Sequence, residues 1–249
     1  MTPTTSSAPR TPRPGAGPRP GAGPSGPPAV VAAATAPPTG WLADAVAEVR
    51  HDPGAAGRLL PLAGRRVGRA ALRPDEDPAG TVHGTQDDAA RAALVLAVAH
   101  ALADDPQALA DALVTLYQDG DATERRGVLR GLDALTCTGA AVPAPVVAAG
   151  RALAADALRA NDTALVAAAV GPFAAAHLDQ HAWRHAVIKL VFQQTSLDAV
   201  AGLDDRADDE LARMATDLAA ERRAAGRAVP ADLARIGAAL STTAHPQES

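Results

Sequence analysis

The sequence has few aromatic residues and almost no cysteine, with two Trp, one Tyr, two Phe and one Cys among 249 residues. The single cysteine, Cys137, excludes an intrachain disulfide and a thiolate cluster for zinc. No apolar stretch approaches the ~20 residues that a membrane-spanning helix needs. We therefore expect a protein that is not itself transmembrane, and we predict a cytoplasmic location.

Acidic residues are missing from the first 38 residues, which contain Arg10, Arg13 and Arg19 among many Pro, Gly, Ala, Ser and Thr. A segment of this composition cannot bury enough apolar surface to offset its chain entropy. We predict a disordered tail over residues 1–38, a folded domain over 39–240 and a frayed C-terminus over 241–249. Residues 39–249 hold 20 basic and 28 acidic residues, a net charge of −8. This balance argues against nucleic acid as a partner.

Alternating β-branched patterns are also absent, so the sequence predicts no strands. Helical periodicity recurs along the domain, and Asp121 with Glu124 fits a capping box before a helix over 122–135. Arg125, Arg126 and Arg130 lie off the apolar stripe of that helix. Helices joined by short turns predict an all-α fold. We expect a HEAT-like antiparallel helical superhelix, with an irregular helical bundle as the alternative.

Lysine occurs once, at Lys189, inside the densest run of large side chains from Trp183 to Phe192. An ammonium can lose its proton when it is buried, whereas a guanidinium cannot. Lys189 is thus a candidate for ligand binding or for acid/base chemistry, although a side chain that reaches water from a packed helix is the simpler interpretation. His177, His181 and His185 have the spacing of stacked metal ligands. Asp179 is expected to cap a new helix and break that stack, so we predict neither a metal nor a cofactor.

Several strings in the second half of the chain occur in an order that resembles the EboA family. They are Leu158-Arg-Ala-Asn161-Asp162, Gly171-Pro-Phe-Ala-Ala-Ala-His177-Leu-Asp179, Trp183-Arg-His-Ala-Val-Ile-Lys189 and Ala201-Gly-Leu-Asp204-Asp-Arg206. Earlier strings around Arg65, Arg66 and Arg69, and around Arg125 and Arg126, are also similar. The resemblance covers residues 41 to 240. Phe173 and Leu190 depart from it, because Tyr and Cys are expected at these positions.

The resemblance implies a role in an Ebo-type secondary-metabolite pathway. In that setting the partners are other Ebo-cluster proteins, with a UbiA-type membrane prenyltransferase as one candidate, and a small-molecule precursor is a further candidate. A peripheral association with the membrane through such a partner is the alternative to a purely cytoplasmic location. In cyanobacteria the cluster is linked to moving a pigment precursor towards the periplasm. The family does not assign an activity to the EboA component itself.

The candidate contact residues each have a structural alternative. Asn161 and Asp162 fit a helix end and the following cap, and Asp204 with Arg206 fits a turn with a local ion pair. Arg65, Arg66, Arg69 and Arg73 form a basic cluster that suits phosphate, with a solvated or acid-paired face as the alternative.

Two hypotheses about function remain. The first is a non-catalytic accessory protein that binds a precursor or docks partners, with candidate contacts Lys189, His177, Trp183, Arg125, Arg126, Asn161, Asp162, Asp204, Arg206, Arg65, Arg66 and Arg69. The second is an enzyme acting on a phosphorylated or prenylated intermediate, with Lys189 and His177 as its catalytic residues. A deep closed cavity at Lys189 would favour the enzyme, and a shallow open surface would favour the accessory protein.

Overall fold

A computed structural model describes residues 28–243, with side chains described up to residue 237. This part of the chain consists of helices and loops, with one isolated antiparallel bridge between Ala71 and Thr85, so the all-α prediction is confirmed. The helices of the first half are α1 Ala29–Thr35, α2 Trp41–His51, α3 Ala56–Leu59, α4 Ala63–Arg66, α5 Gln86–Ala101, α6 Pro106–Asp119 and α7 Ala122–Thr136. Those of the second half are α8 Ala144–Ala157, α9 Thr163–Ala168, α10 Pro172–His177, α11 Gln180–Phe192, α12 Leu203–Arg206, α13 Asp209–Ala224 and α14 Asp232–Thr243. Short 3-10 turns cover Pro53–Ala55, Leu60–Leu62 and Leu197–Ala199.

Helix α1 lies within the segment predicted as a disordered tail, so that prediction is wrong for residues 29–35. Val30 and Val31 are buried, and α1 packs against α5 and α7. The apolar run Ala29–Thr35 is short, but it covers apolar surface that α5 and α7 would otherwise expose, and this burial outweighs the entropy of ordering it. The rest of the predicted tail, residues 1–27, lies outside the described residues. At the other end, α14 includes residues 241–243, which were expected to fray, and residues 244–249 also lie outside the described residues.

Helices α5 and α7 have the most extensive contact of any helix pair in the described chain, and two glycines make it possible. A Cβ at Gly127 would lie 2.4 Å from Cβ of Arg91, and one at Gly131 would lie 2.4 Å from Cγ1 of Val95. The two backbones therefore approach too closely for any larger residue at these α7 positions. This pair forms the centre of the N-terminal half, with α1 and α2 packed on α5.

Helices that alternate along the chain pack on one another, α5 against α7 and α6 against α8. Such stacking of alternate helices is also found in helical solenoids, but the HEAT-type assignment stays a prediction. One continuous core runs through the described residues, from Ala34 to Ile236. None of the helices between residues 28 and 243 has both the length and the apolarity needed to cross a membrane.

Helix α11 contacts several other elements of the C-terminal half. Trp183, Val187 and Leu190 are fully buried on one side of α11, where the helix packs on α9 and on the Leu197–Ala199 turn. Helix α13 packs on another part of α11 and on α14. The remaining side of α11, which carries Lys189, is left partly uncovered and lines a concave surface.

Candidate functional site

An open groove between α11 and α13 is the main concave surface, with a volume of about 830 Å³. The loop between α8 and α9 closes one side of it. Its lining residues are Asn161, Thr163, His185, Ile188, Lys189, Phe192, Gln193, Met214, Asp217, Leu218 and Glu221. The groove is open to solvent and is not a closed cavity.

Phe192 is the most unusual residue of the groove. Its side chain is 56% exposed, and it is the one large hydrophobic residue in the described part of the chain that is classed as exposed. Ile188 lies one helical turn earlier on α11, and Met214 and Leu218 contribute from α13. Together these four side chains form an apolar strip with polar residues on both sides. An amphipathic organic molecule with a flat or extended apolar body matches this surface.

Lys189 lies at the groove, but its ammonium group also holds the end of another helix. The Nζ atom donates to the carbonyl oxygen of Ala160 at 2.8 Å and to that of Leu158. Leu158 is the C-cap of α8, where backbone carbonyls lack partners within the helix. Lys189 therefore fixes the loop that carries Asn161, and this loop, with Thr163 at the start of α9, is one wall of the groove.

Asn161 and Asp162 have different positions in that wall. Asn161 lines the groove and is exposed. Asp162 is the N-cap of α9, because its side chain accepts a hydrogen bond from the backbone N–H of Leu165 at 3.0 Å. The capping interpretation of Asp162 is thus the one the geometry supports.

His177 is separated from Lys189 and the groove. Its ring packs against Phe173, with centroids 4.8 Å apart, and it does not line the groove. Burial, together with the charge of nearby Arg151, lowers the pKa of His177. His177 ends α10 while α11 begins after Asp179, so the three histidines do not stack on one helix. His181 and His185 do contact each other on α11, with ring centroids 4.4 Å apart.

Half-buried Arg206 packs on the ring of Trp183. The guanidinium of Arg206 lies 4.8 Å from the ring centroid of Trp183, which is completely buried. Arg206 also donates to the backbone carbonyls of Ala174, Ala175 and Leu178, at 3.1, 2.8 and 3.0 Å. The side chain of Arg206 thus caps the C-terminal end of α10. The segment predicted as a turn is the short helix α12. Asp204 lies on the exposed side of α12.

Arg125 and Arg126 also bind protein groups. Arg125 donates from Nε to the carbonyl of Gly120 at 3.0 Å, and its guanidinium lies 5.3 Å from the ring centroid of Tyr117. Arg126 donates from Nε to Oδ1 of buried Asp88 at 2.7 Å. The predicted capping box of Asp121 and Glu124 is present at the start of the same helix, α7.

Sequence reasoning missed a set of buried charged residues at the α5–α7 contact: Asp87, Asp88, Arg91, Arg130 and Asp133. Burial raises the pKa of Asp87, but hydrogen bonds from Thr85 and Arg91 outweigh burial, so its pKa lies below the ordinary value. Arg130 lies off the apolar stripe of α7, and its side chain is nevertheless only 2% exposed. Its Nη2 atom donates to the carbonyl of Val82 at 2.9 Å, a partner in the loop before α5.

The remaining arginine cluster lies apart from the groove lining. Arg65 and Arg66 are exposed at the end of α4, and Arg69 is exposed with its Nε 3.9 Å from Oδ2 of Asp87. Of the residues predicted for ligand contact, the structure brings Lys189 and Asn161 together at the groove. The sequence places Phe192 on the same side of α11 as Lys189, but helical periodicity does not predict that its side chain is exposed.

The fold and the groove define an all-α protein whose main concave surface is open and amphipathic. Within residues 28–237 no cluster of His, Cys, Asp and Glu is placed to hold a metal ion. The chain belongs to the EboA family, because the model of that family, described as metabolite traffic protein EboA, matches residues 75–237. This match confirms the resemblance seen in the sequence, and the description indicates a role in metabolite traffic. Comparisons with curated proteins and with solved structures gave no match.

Proposed function

We propose that this protein binds a small amphipathic metabolite in the α11–α13 groove and carries it without changing it chemically. The observation that carries this proposal is the exposure of Phe192 beside Ile188, Met214 and Leu218. Ile188 and Met214 are half-buried and Leu218 is buried, so Phe192 is the exposed end of an apolar lining, and concave surfaces with such a lining are the usual places where small molecules bind. In an Ebo-type pathway the bound precursor would pass between this protein and other Ebo components, including a membrane prenyltransferase.

The enzyme alternative has less support from the same geometry. It requires Lys189 to act on a substrate, together with His177. The ammonium of Lys189 is bound to the carbonyls of Leu158 and Ala160, and His177 packs on Phe173 outside the groove lining. An open groove also excludes water poorly, and water exclusion strengthens the electrostatic interactions on which catalysis depends.

The proposal can be tested with the neutral fluorescent probe N-phenyl-1-naphthylamine and the purified full chain. Replacing Phe192 by Ala removes the most exposed part of the apolar strip. We expect the dissociation constant to rise about five- to tenfold, since ~1–1.4 kcal/mol of apolar contact is lost. Fluorescence titration measures this change.

Leu116→Ala is the matched control for this experiment. Leu116 is a half-buried side chain on α6 that packs against the core and does not line the groove. This variant should lower stability and leave the affinity for the probe unchanged. Equal affinity of the wild type and Phe192→Ala would place probe binding elsewhere, and the absence of binding to the wild type would refute the carrier function.

A further inference from the structure

The end of α11 has a polar feature that apolar binding does not explain. Gln193 lines the groove next to Phe192, and its Oε1 atom is buried without a hydrogen-bond partner. Among the residues with described side chains, none forms a hydrogen bond with the amide group of Gln193. The next residue, Gln194, has φ 59°, a left-handed conformation that is uncommon outside glycine.

A carbonyl oxygen accepts hydrogen bonds from N–H or O–H groups, and native proteins seldom leave a buried one unpaired. The torsion that turns a glutamine amide is broad, so the group can rotate towards the groove at low energetic cost. Such a rotation would break no hydrogen bond within the described side chains. In the rotated amide, Oε1 would face the groove and Nε2 would take the buried position, and a ligand lying on Phe192 with a donor at its edge would then give Oε1 the partner that it lacks.

The charged groups of the groove favour the same class of ligand. Lys189 donates to the backbone carbonyls of Leu158 and Ala160, which reduces its capacity to bind an anion. Helix α13 contributes two carboxylates, of which Asp217 is paired with Arg213 at 2.7 Å and Glu221 is exposed. The exposed arginines that would suit phosphate are at Arg65 and Arg66 on α4, which do not line the groove.

We infer that the groove selects an uncharged or cationic apolar molecule that carries an N–H or O–H donor, which Gln193 recognises, and that it discriminates against phosphorylated molecules. This inference rests on the proposed carrier function and specifies its cargo. The phosphorylated intermediates suggested by the arginine cluster in the sequence are therefore not expected to bind in the groove.

Three naphthalene probes with the same ring test the inference at pH 7 by titration calorimetry on the full chain. They are 2-naphthol, which carries an O–H donor, 2-methoxynaphthalene, which has none, and 2-naphthyl phosphate, which is anionic. We expect 2-naphthol to bind about five- to tenfold more tightly than 2-methoxynaphthalene, the range for one hydrogen bond. We expect 2-naphthyl phosphate to bind most weakly of the three.

Variants at Gln193 identify the residue responsible. Gln193→Met keeps the length of the side chain and removes the acceptor, so the preference for 2-naphthol over 2-methoxynaphthalene should disappear. Gln193→Glu retains acceptor oxygens and should keep that preference. Glu221→Gln should raise the affinity for 2-naphthyl phosphate relative to the two uncharged probes. An unchanged preference in Gln193→Met, or tightest binding of the phosphate, would overturn the inference.

The Phe192→Ala variant distinguishes a failure of donor recognition by Gln193 from a failure of the carrier function. If Phe192→Ala weakens all three probes but the wild type shows no preference for the donor, the groove binds ligands and only the recognition by Gln193 is wrong. If Phe192→Ala leaves all three affinities unchanged, the groove is not the binding site and both proposals fail. Far-ultraviolet circular dichroism of each variant establishes that it is folded.

Discussion

The most strongly perturbed acidic residue is Asp133, on the buried side of α7. Its Oδ1 atom accepts a hydrogen bond from the backbone N–H of Phe173 at 3.0 Å, whereas Oδ2 has no hydrogen-bond partner. The nearest guanidinium nitrogen of Arg130 is 3.6 Å from Oδ2, which is longer than a hydrogen bond. Burial raises the pKa of Asp133 to about 6, and the attraction of Arg130 only partly opposes this shift.

A raised pKa in the folded state gives stability that is fully present at acidic pH. This contribution is lost as the pH rises from about 4 through about 6, because the ionised carboxylate is poorly solvated. We therefore expect the free energy of unfolding of the wild type, minus that of Asp133→Asn, to fall by about 2 kcal/mol between pH 4 and pH 7, because a shift of about two pKa units is worth roughly 2.7 kcal/mol over the whole titration and a part of it is already lost at pH 4. Urea unfolding at several pH values measures the difference, and a pH-independent difference would contradict the shifted pKa.

The sequence predicted residues whose partners are local and missed those whose partners are distant. Asp121 and Glu124 could be recognised as a capping box because they bond to groups within three residues of each other. The burial of Arg130 depends on the carbonyl of Val82, 48 residues earlier in the chain. Only the tertiary packing of α5 on α7 brings this partner close, and no periodicity in α7 contains that information.

Among the structural elements, two helices of the C-terminal half have C-terminal carbonyls that accept hydrogen bonds from cationic side chains of other helices. Lys189 of α11 binds the carbonyls that follow α8, and Arg206 of α12 binds the carbonyls at the end of α10. Cations are favourable at helix C-termini because they satisfy free carbonyls and interact with the helix dipole. The sequence indicated Lys189 as a candidate binding residue. In the structure its hydrogen bonds join α11 to the loop that forms the groove wall.

Replacing Lys189 by Met should therefore affect stability as well as binding. The carbonyls of Leu158 and Ala160 lose a charged donor in a partly buried position, and we expect the free energy of unfolding to fall by about 1–3 kcal/mol. The affinity for N-phenyl-1-naphthylamine should weaken in parallel, because the loop with Asn161 is no longer held. Chemical denaturation and fluorescence titration measure the two effects.

Arg213→Met provides the matched loss of a cation. Arg213 is 60% exposed on α13 and pairs with Glu210 and Asp217 at the surface. Such exposed pairs contribute roughly 0.2–1 kcal/mol, so this variant should be only slightly destabilised. If Lys189→Met were no less stable than Arg213→Met, the helix-end role of Lys189 would be wrong.

At the scale of the whole molecule, the groove belongs to the same core as the N-terminal helices. The buried cluster extends from Ala34 in α1 to Ile236 in α14, and Trp41 of α2 packs against it. Fully buried Trp183 lies in the same cluster on α11. The chain thus contains one tryptophan in each half, both in contact with the same core, and only Trp183 is on a helix that lines the groove.

Because the core is continuous, ligand bound at the groove should stabilise both halves together. At a ligand concentration 100 times the dissociation constant the expected gain is ~2.7 kcal/mol, and for a domain of roughly 200 residues this raises the melting temperature by about 5–10 °C. The Trp41→Phe variant reports unfolding through Trp183, and Trp183→Phe reports it through Trp41. We expect the ligand to raise both fluorescence midpoints equally. A shift seen only through Trp183 would mean that the C-terminal half unfolds as a separate unit and that cargo binding is not transmitted to α2.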